Sequence, residues 1–239
     1  MKEERYFYVP NASDKSELPE EEAKHALKVL RLNVGDKIVL IDGNGSFYSA
    51  TVSMVGNKHC WYEINEEIPQ AKEWKGNIHL AIAPTKMMDR IEWMVEKITE
   101  IGVDEISFLN CQFSERKLLR IDRLDKIIIS AVKQSRKAWL PQIKPMISLN
   151  DFISQPFNGK KYIAHCYNEI PRVDFYDEMK KITGDESITV LIGPEGDFSL
   201  AEVNLALKHG FISITLGKSR LRTETAGLFS VTLSHLALR

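Results

Sequence analysis

The sequence is poor in cysteine, has no long apolar run and carries almost no net charge, and each lack excludes something. Its 239 residues hold three cysteines, Cys60, Cys111 and Cys166, odd in number and widely spaced. That spacing argues against a disulfide framework and for reduced thiols in a cytoplasm, packed as small hydrophobes. There is no Cys-x-x-Cys and no paired histidine spacing, so the expectation is no metal. No stretch of about eighteen apolar residues exists to span a membrane. The opening Met1-Lys2-Glu3-Glu4-Arg5 lacks the apolar core of a secretion signal, so the expected location is cytoplasmic. With 32 Lys or Arg against 33 Asp or Glu the net charge is −1, which alone says nothing for nucleic acid.

Two glycine-bearing turns near the C-terminus are the most informative segments. They are Leu191-Ile192-Gly193-Pro194-Glu195-Gly196-Asp197-Phe198 and Leu216-Gly217-Lys218-Ser219-Arg220-Leu221-Arg222-Thr223-Glu224-Thr225-Ala226. Each follows a β-branched apolar run (187–192 and 211–216) and precedes a helical pattern. Both loops should therefore leave one edge of a parallel sheet, where α/β folds bind ligands. Gly217-Lys218-Ser219 resembles the end of a P-loop, but the glycine needed five residues earlier is Ile212. Neither loop has the G-x-G-x-x-G spacing that seats a pyrophosphate. What remains is a pair of tight turns offering main-chain groups between Ile192, Leu216 and Leu221, suited to a flat, adenine-like ring.

The chain divides near residue 70. Before it, short runs alternate with period two (38–41, 47–54 and 60–64), separated by Asp42-Gly43-Asn44-Gly45 and Gly56-Asn57, which signals a small β-barrel. One helix, 20–30, interrupts them with Ala23, Ala26, Leu27 and Leu30 on one stripe. After the linker 69–76, strands (78–83, 106–109, 162–166) alternate with helices. Ile91, Met94, Val95, Ile98 and Ile101 form one helical stripe stopped by Gly102. Leu124, Ile127, Ile128, Ala131 and Ser135 form a second, Phe175, Met179 and Ile182 a third, and Ser199 to Glu202 is a capping box. Such alternation argues for a parallel sheet covered on both faces. From Glu115 to Lys144 there are nine Lys or Arg and three Asp or Glu, a local +6. This is the footprint of phosphate contact or of a solvated helix face, and Lys133, Arg136 and Lys137 lie on it. The histidines at 59, 79, 165, 209 and 235 read as structural, and Trp93 and Trp139 as buried in the core or at an interface rather than stacked on bases.

Taken together, these residues resemble the RsmE family. The resemblance rests on Ile192 to Gly196, Leu216-Gly217 and Leu221 to Ala226. Upstream it includes Lys86, Arg90, Glu92, Glu96 to Val103, Lys133-Gln134-Ser135 and Pro141. In the N-terminal region it includes Arg5, His25, Leu30-Arg31 and Gly35-Asp36. It departs at Asp197, where the family usually has glycine, at Arg220, usually aliphatic, and at 112–116, which replaces an Arg-Ser pair. The resemblance implies an α/β protein with a PUA-like β-barrel RNA-binding domain over 1–70. A SPOUT methyltransferase domain with a C-terminal trefoil knot would follow over 71–239. It implies S-adenosyl-L-methionine as cofactor and 3-methyluridine in 16S ribosomal RNA, within the small ribosomal subunit, as product. Cofactor contacts are expected from Pro84, Leu191, Ile192, Gly193, Pro194, Glu195, Gly196, Leu216, Gly217, Ser219, Leu221, Arg222 and Thr223. RNA contacts are expected from Arg5, His25, Lys28 and Arg31 besides the three stripe residues. A homodimer is also implied, and the final helix supports it by being apolar beyond one stripe.

The implied chemistry assigns roles. Uridine's imino nitrogen attacks well only after losing its proton, so the protein must stabilise a uridinate. Arg222 is the candidate cation and Glu195 the candidate base. Two other readings stay open on the residues alone. One is methylation of ribose or of transfer RNA. The other is an RNA-binding protein without transfer activity, should Asp197 and Arg220 spoil the cofactor site.

Overall fold

The computed structural model describes residues 4–239; Met1 to Glu3, part of the opening segment inspected for a secretion signal, lie outside them. Two compact units are present. The first holds the described residues up to Lys72 together with Ile129–Leu140, the second Glu73–Ile128 with Pro141–Arg239. No single cut of the chain separates them, because the helix Ile121–Ser135 is divided between the two. Among the described residues, no helix is long and apolar enough to cross a membrane.

In the first unit β1 (Tyr6–Tyr8) leads into a helix and then β2 (Lys37–Ile41), β3 (Ser46–Val55) and β4 (Cys60–Pro69). The strands pair in the order β1-β2-β3-β4, the first pair parallel and the others antiparallel. Alternation buries Phe7, Ile38, Leu40, Tyr48, Ala50 and Val52 against Ala23 and Ala26 of the helix. That helix is not uniform. α1 (Glu20–Lys24) widens into a π turn over His25–Val29, closed by Leu30 N–H donating to His25 O at 3.1 Å. The chain leaves it through Arg31 at φ 51°, a conformation uncommon for a residue with a side chain.

The second unit contains β5 (Asn77–Ile82), α2 (Met88–Ile101), β6 (Glu105–Asn110), α3 (Ile121–Ser135, shared with the first unit), β7 (Gln142–Ser148), α4 (Leu149–Ile153) and β8 (Lys160–Ala164). Then come β9 (Val173–Asp174), α5 (Phe175–Met179), β10 (Ser187–Ile192), α6 (Leu200–Lys208), β11 (Ile212–Thr215) and α7 (Thr223–Leu238). Its seven strands are all parallel, in the order β7-β6-β5-β10-β8-β11-β9. Period two sorts the side chains: Ala81, Ile163 and Leu191 join Phe152 of α4 and Val203 of α6 in one core. Leu80 and Ile82 face the other way, towards α7. There Gly227 brings the helix backbone down onto the sheet, and a Cβ on it would sit 2.8 Å from Met94 Sδ and 3.0 Å from Ile82 Cδ1. Glycine costs that helix about 1 kcal/mol in propensity, and the close approach offsets it.

Four of the labelled elements were not expected from sequence: β1, β7, α4 and β9. β7 contains Pro145, which argues against a strand, but β7 is the edge of the sheet, where a missing N–H is tolerated. Of the cysteines, Cys60 and Cys111 are buried as expected and Cys166 is exposed.

His79 on β5 is buried, its Nε2 2.8 Å from Ser107 Oγ and 3.4 Å from Glu105 Oε1. Burial, reinforced by Lys144, pushes its pKa down from 6.5 to about 4. The unfolded chain therefore binds a proton that the folded chain refuses between those values, so stability is complete above pH 6.5 and declines as pH falls towards 4. The loss amounts to about 3 kcal/mol. Urea midpoints measured across this range should fall with acidification, and less steeply in His79→Asn.

Candidate active site

β8, β10 and β11 are parallel neighbours, so their C-terminal ends share one edge of the sheet. The segments that follow them enclose a cavity of about 880 Å³. Ile192, Gly193, Pro194, Glu195 and Asp197 line one side, and Leu216 to Arg222 the other. His165 and Cys166 after β8, Arg90 of α2 and Thr223, Glu224 and Ala226 of α7 complete the wall.

The first loop is a turn held from three directions. Asp197 N–H donates to Pro194 O at 2.9 Å, and Asp197 takes φ 66°, the left-handed angle that glycine would otherwise supply. Its carboxylate accepts from Phe198 N–H at 2.7 Å and from Cys166 N–H at 2.8 Å, tying this loop to the end of β8. Glu195 Oε1 accepts from Lys86 N–H at 2.9 Å. The 85–86 segment is itself gripped by Arg116, whose guanidinium donates to the carbonyls of Thr85 and Lys86. A Cβ on Gly193 would come within 3.0 Å of Phe198 N, so that glycine lets the turn close on itself.

The second loop is open. Gly217 has φ +111° and nothing within 4 Å of where a Cβ would lie, while Thr215 Oγ1 donates to Gly217 O at 2.9 Å at the loop's base. Arg222, exposed, precedes the first residue of α7. Glu224 in that first turn is buried, with Oε1 3.7 Å from Arg90 Nε and Oε2 without a hydrogen bond. On the third segment, burial lowers the pKa of His165. Its Nδ1 accepts from Tyr167 N–H at 3.2 Å, which leaves Nε2–H to donate to Ser213 Oγ.

Ten of the expected cofactor residues thus meet around one cavity: Ile192, Gly193, Pro194, Glu195, Leu216, Gly217, Ser219, Leu221, Arg222 and Thr223. Three do not line it. Leu191 points into the core beneath α4 and α6, because period two turns it away from the loops. Pro84 is buried, and Gly196 turns outward, 3.1 Å from Phe113 Cβ measured from an added Cβ. His165, Arg90 and Arg172 were missed as wall residues, and Glu224, read from sequence as able to take a proton or to face the helix dipole, also lines the wall. Extending the strand-edge rule to the run 162–166 would have found His165.

The seven expected RNA contacts all belong to the first unit. His25, Lys28, Arg31 and Arg136 are exposed, Arg136 with its guanidinium 5.4 Å from the Tyr6 ring centre. Arg5 is half-buried 3.5 Å from Asp36, and Lys137 is half-buried. Lys133 needs correction as a free phosphate contact. Its Nζ pairs at 2.7 Å with Glu22, a buried carboxylate that would be costly to leave uncompensated. Trp93 and Trp139, expected to be buried in the core or at an interface, are 45% and 40% exposed and so are not core residues.

The family model described as RNA methyltransferase domain matches residues 72–235, and that described as RNA methyltransferase PUA domain matches 18–64. The chain belongs to the ribosomal RNA small subunit methyltransferase E family. A family protein so named from Rickettsia conorii is 27% identical over 92% of this chain and 88% of its own. The crystal structure of a probable rRNA-methyltransferase from Porphyromonas gingivalis superimposes with a TM-score of 0.91, at 40% identity over 98% of both chains. The Neisseria gonorrhoeae family member, bound to S-adenosyl methionine, gives 0.80 at 29% identity, over 96% of this chain and 95% of that one.

The family's methyl donor is S-adenosylmethionine, and the cavity suits it. The volume is ample, Ile192 and Leu216 supply apolar walls, and the bare Gly217 backbone faces open space. Leu216→Trp should fill that space, weakening S-adenosylmethionine binding at least tenfold by calorimetry while the thermal midpoint barely moves.

Proposed function

We propose that this protein transfers a methyl group from S-adenosylmethionine to the imino nitrogen, position 3, of a uridine in 16S ribosomal RNA, giving 3-methyluridine. The observation that carries the reading is the paired loops: the turn 193–198 and the loop 216–222 wall one cavity, with the exposed Arg222 at its margin. The cofactor supplies an electrophilic methyl group on a sulfonium with a neutral leaving group. The chain's own task is to accept an unstacked uridine, take its imino proton and hold the resulting anion. Arg222 sets a guanidinium at the cavity, where it neutralises charge developing on the carbonyl oxygens beside the attacking nitrogen. Glu195 is the proton acceptor: Oε1 is held by Lys86 N–H, and Oε2 makes no hydrogen bond among the described residues. Arg222→Ala should lower kcat about 10²- to 10³-fold on small subunits from cells lacking the enzyme. Nucleoside mass analysis of the wild-type product should give 3-methyluridine; methyl on ribose or another base would overturn the assignment.

The further features belong to the same reading. The first unit's sheet, which the PUA model matches over 18–64, serves as a PUA-like barrel in the described residues up to about 70, with His25, Lys28, Arg31 and Arg136 on the RNA. The rest of the chain is the SPOUT domain, working in the cytoplasm. A trefoil knot near its end is supported by β10 lying between β5 and β8 while α7 returns against β5, β10 and α2. An experimental chain trace free of entanglement would dismiss it. A homodimer is supported by Phe229 and Leu236, seven residues apart on α7 and 40% and 60% exposed, and by Trp93 on the adjoining α2. Sedimentation at micromolar concentration should give twice the chain mass of 27.3 kDa. Phe229→Glu with Leu236→Glu should return the protein to monomers; an active wild-type monomer would end the proposal.

A further inference from the structure

The loop between β11 and α7 holds three cations within five residues, Lys218, Arg220 and Arg222, and all three are exposed on the wall of the cavity. None of their side chains makes a hydrogen bond or ion pair among the described residues. Several surface cations elsewhere on this unit are paired (Lys86 with Glu115, Arg120 with Asp122, Arg123 with Glu92, Lys180 with Asp177 and Lys181 with Glu178). Lys117, Lys160 and Lys208 are exposed singly, so what sets this loop apart is three cations gathered on one cavity wall. Acids are not scarce at the cavity, but each is already engaged. Glu195 accepts from Lys86 N–H, Asp197 from Cys166 and Phe198 N–H, and Asp174 from Tyr176 N–H, while Glu224 faces Arg90. The three cations of the loop therefore stand without a direct ion pair at the place where substrate must enter.

We infer that Lys218 and Arg220 form a phosphate clamp for the RNA strand on either side of the nucleotide being methylated. The inference rests on the proposed reaction and adds to it the part of the enzyme that grips the substrate backbone. A base cannot be delivered to the cavity without the two phosphates that flank its ribose. Two cations two residues apart, beside the Arg222 assigned to the base itself, match that demand. Gly217, with φ +111° and open space around it, carries the loop clear of the protein, and the Thr215 hydroxyl fixes its base. Long cationic side chains on a loop anchored at its root can follow an irregular single strand. That is the form of RNA in which a base edge is accessible.

The test uses the full-length protein, a 16S RNA fragment and assembled small subunits, with Lys218→Ala, Arg220→Ala and the double variant. Neutralising a single-strand phosphate contributes about 0.7 to the slope of log K against log salt. The double variant should therefore flatten the slope by about 1.4, and Lys218→Arg with Arg220→Lys should restore it. KM for RNA should rise roughly tenfold with kcat at saturating RNA and the affinity for S-adenosylmethionine within twofold of wild type. An unchanged salt slope would overturn the clamp. So would a tenfold loss of S-adenosylmethionine affinity with RNA binding intact, which would assign the cations to the cofactor's carboxylate. A change in sedimentation mass would assign them to an interface between copies and equally dismiss it. If wild type places its methyl elsewhere than uridine, the proposed reaction fails while the salt slope still reports on the clamp.

Discussion

The site depends on β10 being hydrogen-bonded on both sides by parallel strands. In register, Ile192 lies opposite Ile82 of β5 and Ala164 of β8, so three strands end level with one another. The segments 83–87, 165–172 and 193–198 therefore start from one line and run side by side. That alignment is what allows Lys86 N–H to reach Glu195 and Cys166 N–H to reach Asp197. β10 can occupy the middle because its run Ile188 to Ile192, apolar except for Thr189, is buried on both faces, as a central parallel strand requires.

A division of labour among charged groups follows from that frame. Carboxylates near the cavity accept main-chain N–H groups, satisfying donors that loops leave over. Asp197 does this while also accepting a left-handed backbone, so a residue that departs from the family pattern serves the turn rather than spoiling it. The cations of the second loop have no such internal work. Rigid acids inside and free cations outside suit a pocket that must hold a cofactor by shape and admit a polyanion.

Much of the fold was legible because its signals are local. Ser199 and Glu202 form the capping box their spacing announces, and α2 stops at Gly102 with φ 123°. The stripe Ile91, Met94, Val95 and Ile98 is buried as its period requires. What escaped was weak or contrary local signal: Pro145 inside β7, the five residues of α4 and the two of β9. The π widening at His25–Val29 has no composition of its own and arises where the helix meets its core.

The candidate site shows the same boundary. Sequence alone determined that two glycine turns follow two apolar strands, and therefore that both loops share an edge. It also excluded phosphate-loop chemistry by the absence of one glycine. Only the tertiary structure decided that Leu191 faces the core while Ile192 faces the cavity, that Gly196 turns towards Phe113, and that His165, Arg90 and Glu224 join the wall. It likewise decided that Lys133 is spent on Glu22. The reason is physical: turns and periodicity are encoded by neighbouring residues. Partnership between charges 111 positions apart depends on where the whole chain has brought them.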